Sequence, residues 1–117
     1  MVHSDLNPKN VLVDPGTLDV VGVLDWEYAH SGHPWTDIGN VVRFERQPAY
    51  VDAALEAWCE LRGGGPADLV AGARAADLWA LVDLAARAGA NPVADRAARL
   101  LEAIASEGDV HARPEAL

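Results

Sequence analysis

The chain has 117 residues, half of them hydrophobic, which suits one modest domain with a core of its own. Nine Lys and Arg against 18 Asp and Glu leave a formal charge of −9, which argues against nucleic acid and anionic membrane as partners, because phosphate binding needs clustered cations. One cysteine, Cys59, excludes an internal disulfide, and no basic-then-apolar leader or membrane-length apolar run is present, so a cytoplasmic location is expected.

The first 40 residues hold three of the four histidines and the clearest turn signals. Two short apolar runs, residues 10–13 and 20–24, flank Asp14-Pro15-Gly16-Thr17. Proline sets φ at the second turn position and glycine accepts positive φ at the third, so the segment predicts a β-hairpin. Pairing Val13 with Val20 makes opposed positions sum to 33, which sets Asn10 against Val23 and brings Asp25 out just past the pairing.

From residue 35 the apolar spacing changes to a helical period. A first helix is expected to begin near Trp35–Asp37, and a second to cover about residues 50–62, with Val51, Ala54, Leu55 and Trp58 on one stripe. Gly63-Gly64-Gly65-Pro66 ends it. A third helix, about residues 67–88, is apolar over much of its circumference and is expected at the centre of the core. Asn91 is a candidate N-cap with Pro92 at the first helical position, and Gly108 stops the fourth helix. Trp35, Trp58 and Trp79 are assigned to the core, and residues 109–117 to a frayed tail. The expected fold is α+β and mostly helical: a short hairpin packed on about four helices.

Three segments carry chemistry. His3-Ser4-Asp5-Leu6-Asn7-Pro8-Lys9-Asn10-Val11-Leu12-Val13-Asp14 resembles the HxDxxxxN catalytic loop of protein-kinase-like folds, in the form found in aminoglycoside phosphotransferases and choline kinases. Val23-Leu24-Asp25-Trp26-Glu27 resembles that family's counterpart of the kinase Asp-Phe-Gly motif, and Gly32-His33-Pro34-Trp35-Thr36-Asp37-Ile38-Gly39 is similar to its Gly-x-Pro-x-x-Asp-Leu-Ala segment. The three occur in the family's order and at its short spacing, which is more specific than any one alone. Elementary chemistry agrees. Phosphoryl transfer needs metal on the phosphates and a carboxylate to orient the attacking hydroxyl and accept its proton, so two acids and an oxygen ligand must converge.

The resemblance implies that Asp5 is the catalytic base and that Asn10 and Asp25 bind Mg²⁺ and, through it, the phosphates of ATP or GTP. It implies structural roles for His3, which packs and bonds the loop backbone, and for Asp37, which accepts backbone N–H bonds from the loop. The implied partner is a small-molecule hydroxyl acceptor, and the acidic balance would suit a cationic one. On this reading residues 1–108 form a partial C-terminal lobe, with the catalytic and metal-binding motifs in 1–40 and the helical, substrate-pocket side in 41–108.

A complete enzyme of this kind also uses a strand lysine for the α- and β-phosphates and a lid over the nucleotide. The only lysine here is Lys9, inside the loop itself, and Gly63-Gly64-Gly65 has no preceding strand. A truncated frame, a pseudo-enzyme and half of a split protein are all compatible with that, and so is a non-catalytic interaction fragment that self-associates through exposed apolar surface. A metal hydrolase built on His3, Asp5, Asp25, His30 and His33 is disfavoured, because these histidines lack the helix-borne i,i+4 spacing of such sites.

Overall fold

The computed structural model describes residues 1–113. A two-stranded antiparallel hairpin, β1 (Val11–Val13) and β2 (Val20–Val23), is followed by four helices: α1 (Trp35–Val42), α2 (Pro48–Arg62), α3 (Pro66–Ala85) and α4 (Pro92–Glu107). Short 3-10 turns at Pro8–Asn10 and Trp26–Tyr28 bracket the hairpin. The architecture is the expected α+β, mostly helical arrangement.

Local signals place most boundaries. Proline occupies the first turn of α2, α3 and α4, where its missing N–H costs nothing. The Asn91 side chain accepts the N–H of Ala94 at 2.9 Å and caps α4. At its other end Gly108 adopts φ +67°, and its N–H closes on Ile104 at 2.8 Å.

The hairpin departs from the predicted register. Val13 does pair with Val20, but Leu12 then faces Gly22 and Val11 faces Val23. Val21 is therefore an extra residue on β2, a β-bulge. The Asn10 carbonyl in turn receives the N–H of Leu24 at 2.8 Å, so Asp25 lies one residue nearer to Asn10 along the chain than an unbroken register would put it. The turn also differs: positive φ falls at Leu18 (+62°) rather than at Gly16. The Asp14 carboxylate accepts the N–H groups of Gly16 and Thr17, the Leu18 N–H returns to the Asp14 carbonyl, and the turn closes one residue later than predicted. The Thr17 N–H, and next that of Gly16, hold the Asp14 carboxyl below the ordinary aspartate range.

The core has two parts that share α3. Ile38, Val42, Val51, Leu55, Leu69 and Ala73 pack α1, α2 and α3 together, with Trp35, Trp58 and Cys59 at the margin. Leu81, Ala97 and Leu100 pack α3 on α4. The buried stripe of α3 is Leu69, Ala73, Asp77 and Leu81, four residues apart. Trp79 is two residues off that stripe, about 200° round the helix. It is 85% exposed, so its assignment to the core does not hold. At the α1–α3 crossing, Gly39 lies against the carbonyl of Ala73, and a Cβ there would overlap it.

Fraying from residue 109 is not seen in residues 109–113. Ala112 is buried, and the Arg46 guanidinium donates to the carbonyls of His111 and Ala112 at 3.0–3.3 Å. The remainder of the expected tail, residues 114–117, lies outside the described residues. Burial, and then the charges of Arg74, Arg113 and Arg96, lower the Arg46 pKa to about 10, which leaves it protonated at neutral pH.

Candidate active site

The loop from His3 to Asn10 leads into β1, and its backbone is held by side chains to an unusual degree. Four successive N–H groups each meet a side-chain acceptor. Those of His3 and Ser4 donate to the two carboxylate oxygens of Asp37, at 2.9 and 2.8 Å. That of Asp5 donates to His3 Nδ1 at 3.1 Å, and that of Leu6 to Asn40 Oδ1 at 2.9 Å. The chain start is pinned as well, since Val2 and His30 exchange both backbone bonds at 2.8 and 3.1 Å.

These contacts fix the state of His3. A backbone N–H can only donate, so Nδ1 must be the bare nitrogen. Nε2 then carries the proton and donates to the Leu24 carbonyl at 2.7 Å. The neutral imidazole thus ties the loop to the end of β2, and its buried ring meets Trp26 edge-on at 4.7 Å between centroids. Trp26 is half exposed and is anchored by its own Nε1–H on the Val23 carbonyl at 2.8 Å.

Asp5 and Asn10 are in direct contact. Asn10 is 2% exposed, and its amide nitrogen donates to the Asp5 carbonyl at 2.9 Å and to Asp5 Oδ2 at 3.1 Å. Asn7 donates to Asp5 Oδ1 at 2.8 Å. Both carboxylate oxygens are thereby oriented by amides, with no cation paired to them among the described residues. Asp25 follows the residue bonded to Asn10, stands exposed, and its carboxylate accepts no hydrogen bond among the described residues. Among the described residues, two of the three non-glycine positions with positive φ lie here, Ser4 at +67° and Asp25 at +57°. Such conformations persist where surroundings over-determine them, and they concentrate at functional sites. The other histidines considered for a metal site are used locally: His30 Nδ1 contacts the Tyr28 carbonyl, and His33 Nδ1 accepts the N–H of Trp35.

Residues 1–70 match the family described as "Phosphotransferase enzyme family". The chain belongs to the phosphotransferase enzyme family. It is also similar to acyl-CoA dehydrogenase family member 11 of Mus musculus, 38% identical over 48 residues, and of Rattus norvegicus, 36% identical over 44 residues. The chicken protein of the same name, from Gallus gallus, is 34% identical over 44 residues. The mouse match spans 41% of this chain and the chicken and rat matches 38% each, and each covers only 6% of the relative's length. No solved structure matches the chain at a significant level.

In this phosphotransferase-family chain, sequence reasoning missed a second layer behind the loop. Asn40 lies one turn beyond Asp37 on α1, and its Nδ2 donates to Asp77 Oδ1 on α3 at 2.9 Å. Arg43 grips the same carboxylate with two bonds, at 2.7 and 2.8 Å. One signal was available: Asp77 is the only charged member of the otherwise apolar stripe Leu69, Ala73, Asp77, Leu81. A buried carboxylate on an apolar stripe demands a partner. A cavity of about 270 Å³ lies elsewhere, between α2 and α3, with Arg46, Val51, Leu55, Val70 and Arg74 in its wall, and none of the loop residues lines it.

Proposed function

We propose that the chain carries the catalytic and metal-binding motifs of a phosphotransferase that moves the γ-phosphate of ATP or GTP to a hydroxyl of a small-molecule acceptor. The observation that carries this reading is the Asp5–Asn10 contact at the mouth of the hairpin, on a loop whose first four N–H groups are each held by a side chain. Asp5 accepts the acceptor's hydroxyl proton as its oxygen bonds to the γ-phosphorus. The bond from that phosphorus to the β–γ bridging oxygen breaks, the nucleoside diphosphate leaves, and Asp5 returns the proton to water. Because Asn7 and Asn10 each hold one oxygen of Asp5, the carboxylate meets the hydroxyl in one preset orientation.

The residues suit a hard divalent cation. Asn10 Oδ1 and the Asp25 carboxylate are oxygen donors with no hydrogen bond among the described residues, as Mg²⁺ prefers. No cluster of three or more His, Cys, Asp or Glu side chains is placed to hold a metal among the described residues. Mg²⁺ in a nucleotide site draws most of its remaining ligands from phosphate oxygens and water. The metal, when bound, neutralises charge on the phosphates; Asn10 and Asp25 would hold it. The acidity of the chain suits a cationic acceptor.

The test is phosphate transfer from γ-labelled MgATP and MgGTP to a panel of aminoglycosides and amino alcohols, with the chain alone and fused to an N-terminal lobe of the family. Transfer that disappears in Asp5→Asn supports the reading. Transfer unaffected by Asp5→Asn refutes it. A second reading, a non-catalytic interaction fragment, draws on the exposed apolar residues of the hairpin region, Leu12, Val13, Val20, Val21 and Leu24. It is preferred if the fused protein binds nucleotide but transfers nothing.

A further inference from the structure

The Asp5 backbone lies between two N–H groups held by α1. Ser4 on one side is bonded to Asp37, and Leu6 on the other to Asn40. The two grips differ in kind. A carboxylate such as Asp37 accepts in any orientation, whereas an amide such as Asn40 must turn its oxygen, and not its NH₂, toward Leu6. Something must decide that orientation, and Asp77 is placed to do so. Its ionised carboxylate can only accept, so it takes Asn40 Nδ2 and leaves Oδ1 for the loop. Arg43 holds Asp77 in turn with a two-bond fork, Nε to Oδ2 and Nη2 to Oδ1. Asn40 and Asp77 are 5% and 4% exposed, so water does not compete for either group.

We propose that Asp77 is a positioning residue: clamped by Arg43, it orients the Asn40 amide and through it sets the backbone of the loop that carries Asp5. The relay runs from the end of α1 to α3, back to α1 and on to the loop, as Arg43 N–H, Asp77 carboxylate, Asn40 amide and Leu6 N–H. Every donor in it faces an acceptor, so a single reversed group breaks its polarity. Its significance for catalysis rests on the role proposed for Asp5, but its existence does not.

The relay is tested by reversing the polarity of one member and then restoring it. In Asn40→Asp two carboxylates face each other in a buried space. In the double variant Asn40→Asp/Asp77→Asn the charge has moved from α3 to α1, and the line of donors and acceptors from Arg43 Nε to Leu6 is restored, while Arg43 Nη2, which in the parent shares Asp77 Oδ1 with Asn40, gives up its bond. The Leu6 N–H then meets the new carboxylate on α1, the new amide on α3 donates to that same carboxylate, and Arg43 donates to the oxygen of the new amide. The readout is amide hydrogen exchange of Leu6 at pH 7.5 in the 117-residue chain, referred to the Leu100 amide in the α3–α4 core. In Asn40→Asp repulsion from Asp77 turns the new carboxylate away from α3 and off the Leu6 N–H, and loss of that hydrogen bond corresponds to about tenfold faster exchange at Leu6 relative to Leu100. The double variant is expected to return to within about threefold of the parent. Unchanged Leu6 protection in Asn40→Asp, or a double variant no better than that single one, overturns the proposal. If Asn40→Asp fails to fold, the double variant alone decides: parent-like Leu6 protection supports the relay, and its loss refutes it. No phosphate transfer enters the measurement, so a failed transfer assay faults the proposed reaction and not the relay.

Discussion

Replacing Asp37 by alanine removes the one side chain among the described residues that bonds the N–H groups of His3 and Ser4, at 2.9 and 2.8 Å. Each is a hydrogen bond to a charged acceptor, worth about 1.5–3 kcal/mol net, so the pair approaches about 3–6 kcal/mol. Two effects reduce that figure. Asp37 is only part-buried, so water can reach the freed N–H groups, and Ser4 can relax from its left-handed backbone at φ +67° once it is released. A net loss of about 2–4 kcal/mol is expected, a large share of the stability of a domain this size. That corresponds to a fall in Tm of about 10–15 °C. Asp37→Asn should lose about half as much, because its amide oxygen keeps one N–H while its NH₂ faces the other. Thermal unfolding followed by circular dichroism at neutral pH measures both. If Asp37→Asn and Asp37→Ala both melt within about 2 °C of the parent, the loop is not held as described and the reasoning fails.

Within a fusion to a complete N-terminal lobe, Asp5→Ala and Asp25→Ala should each lower kcat by at least about a hundredfold, the scale of a lost general base or metal ligand, and Ser4→Ala should be milder. Retention of turnover in Asp25→Ala would remove that residue from the metal site. Gly39→Ala should destabilise by about 1–3 kcal/mol, since the new Cβ overlaps the Ala73 carbonyl at the α1–α3 crossing; urea unfolding reads it, and a neutral result would mean the helices part freely there. The 117-residue chain alone should bind MgATP with Kd above about 1 mM, because its one lysine, Lys9, is exposed in the loop and cannot also anchor the α- and β-phosphates. Calorimetry measures the affinity, and light scattering should show association through the exposed hairpin face. A micromolar Kd in a clean monomer contradicts both expectations.

What the sequence determined was local. Two apolar runs about a turn segment sufficed for the hairpin, though not for the geometry of its turn, and Asn91, Pro92 and Gly108 bounded the last helix, because each of these acts through its own backbone geometry. The motifs around Asp5, Asn10, Asp25 and Asp37 were legible for the same reason: chemistry of that kind needs particular residue types at short fixed spacing.

Tertiary structure decided everything that depends on which surfaces meet. Periodicity marked α3 as apolar nearly all round, but only its packing on α1 and α4 selects Leu69, Ala73, Asp77 and Leu81 for burial and leaves Trp79 in solvent. The bulge at Val21 moved Asp25 one residue toward Asn10, a choice made by the pairing of two strands and not by either one. Arg46 drew residues 111 and 112 onto the body through carbonyls that carry no side-chain signature. The relay from Arg43 to Leu6 joins residues 34 and 37 positions apart, and nothing local in α3 says that Asp77 will find an asparagine opposite it. Long-range polar pairs of this sort are set by the approach of whole helices, which is why an apolar stripe with one acid in it declares that a partner exists and leaves its identity to the fold.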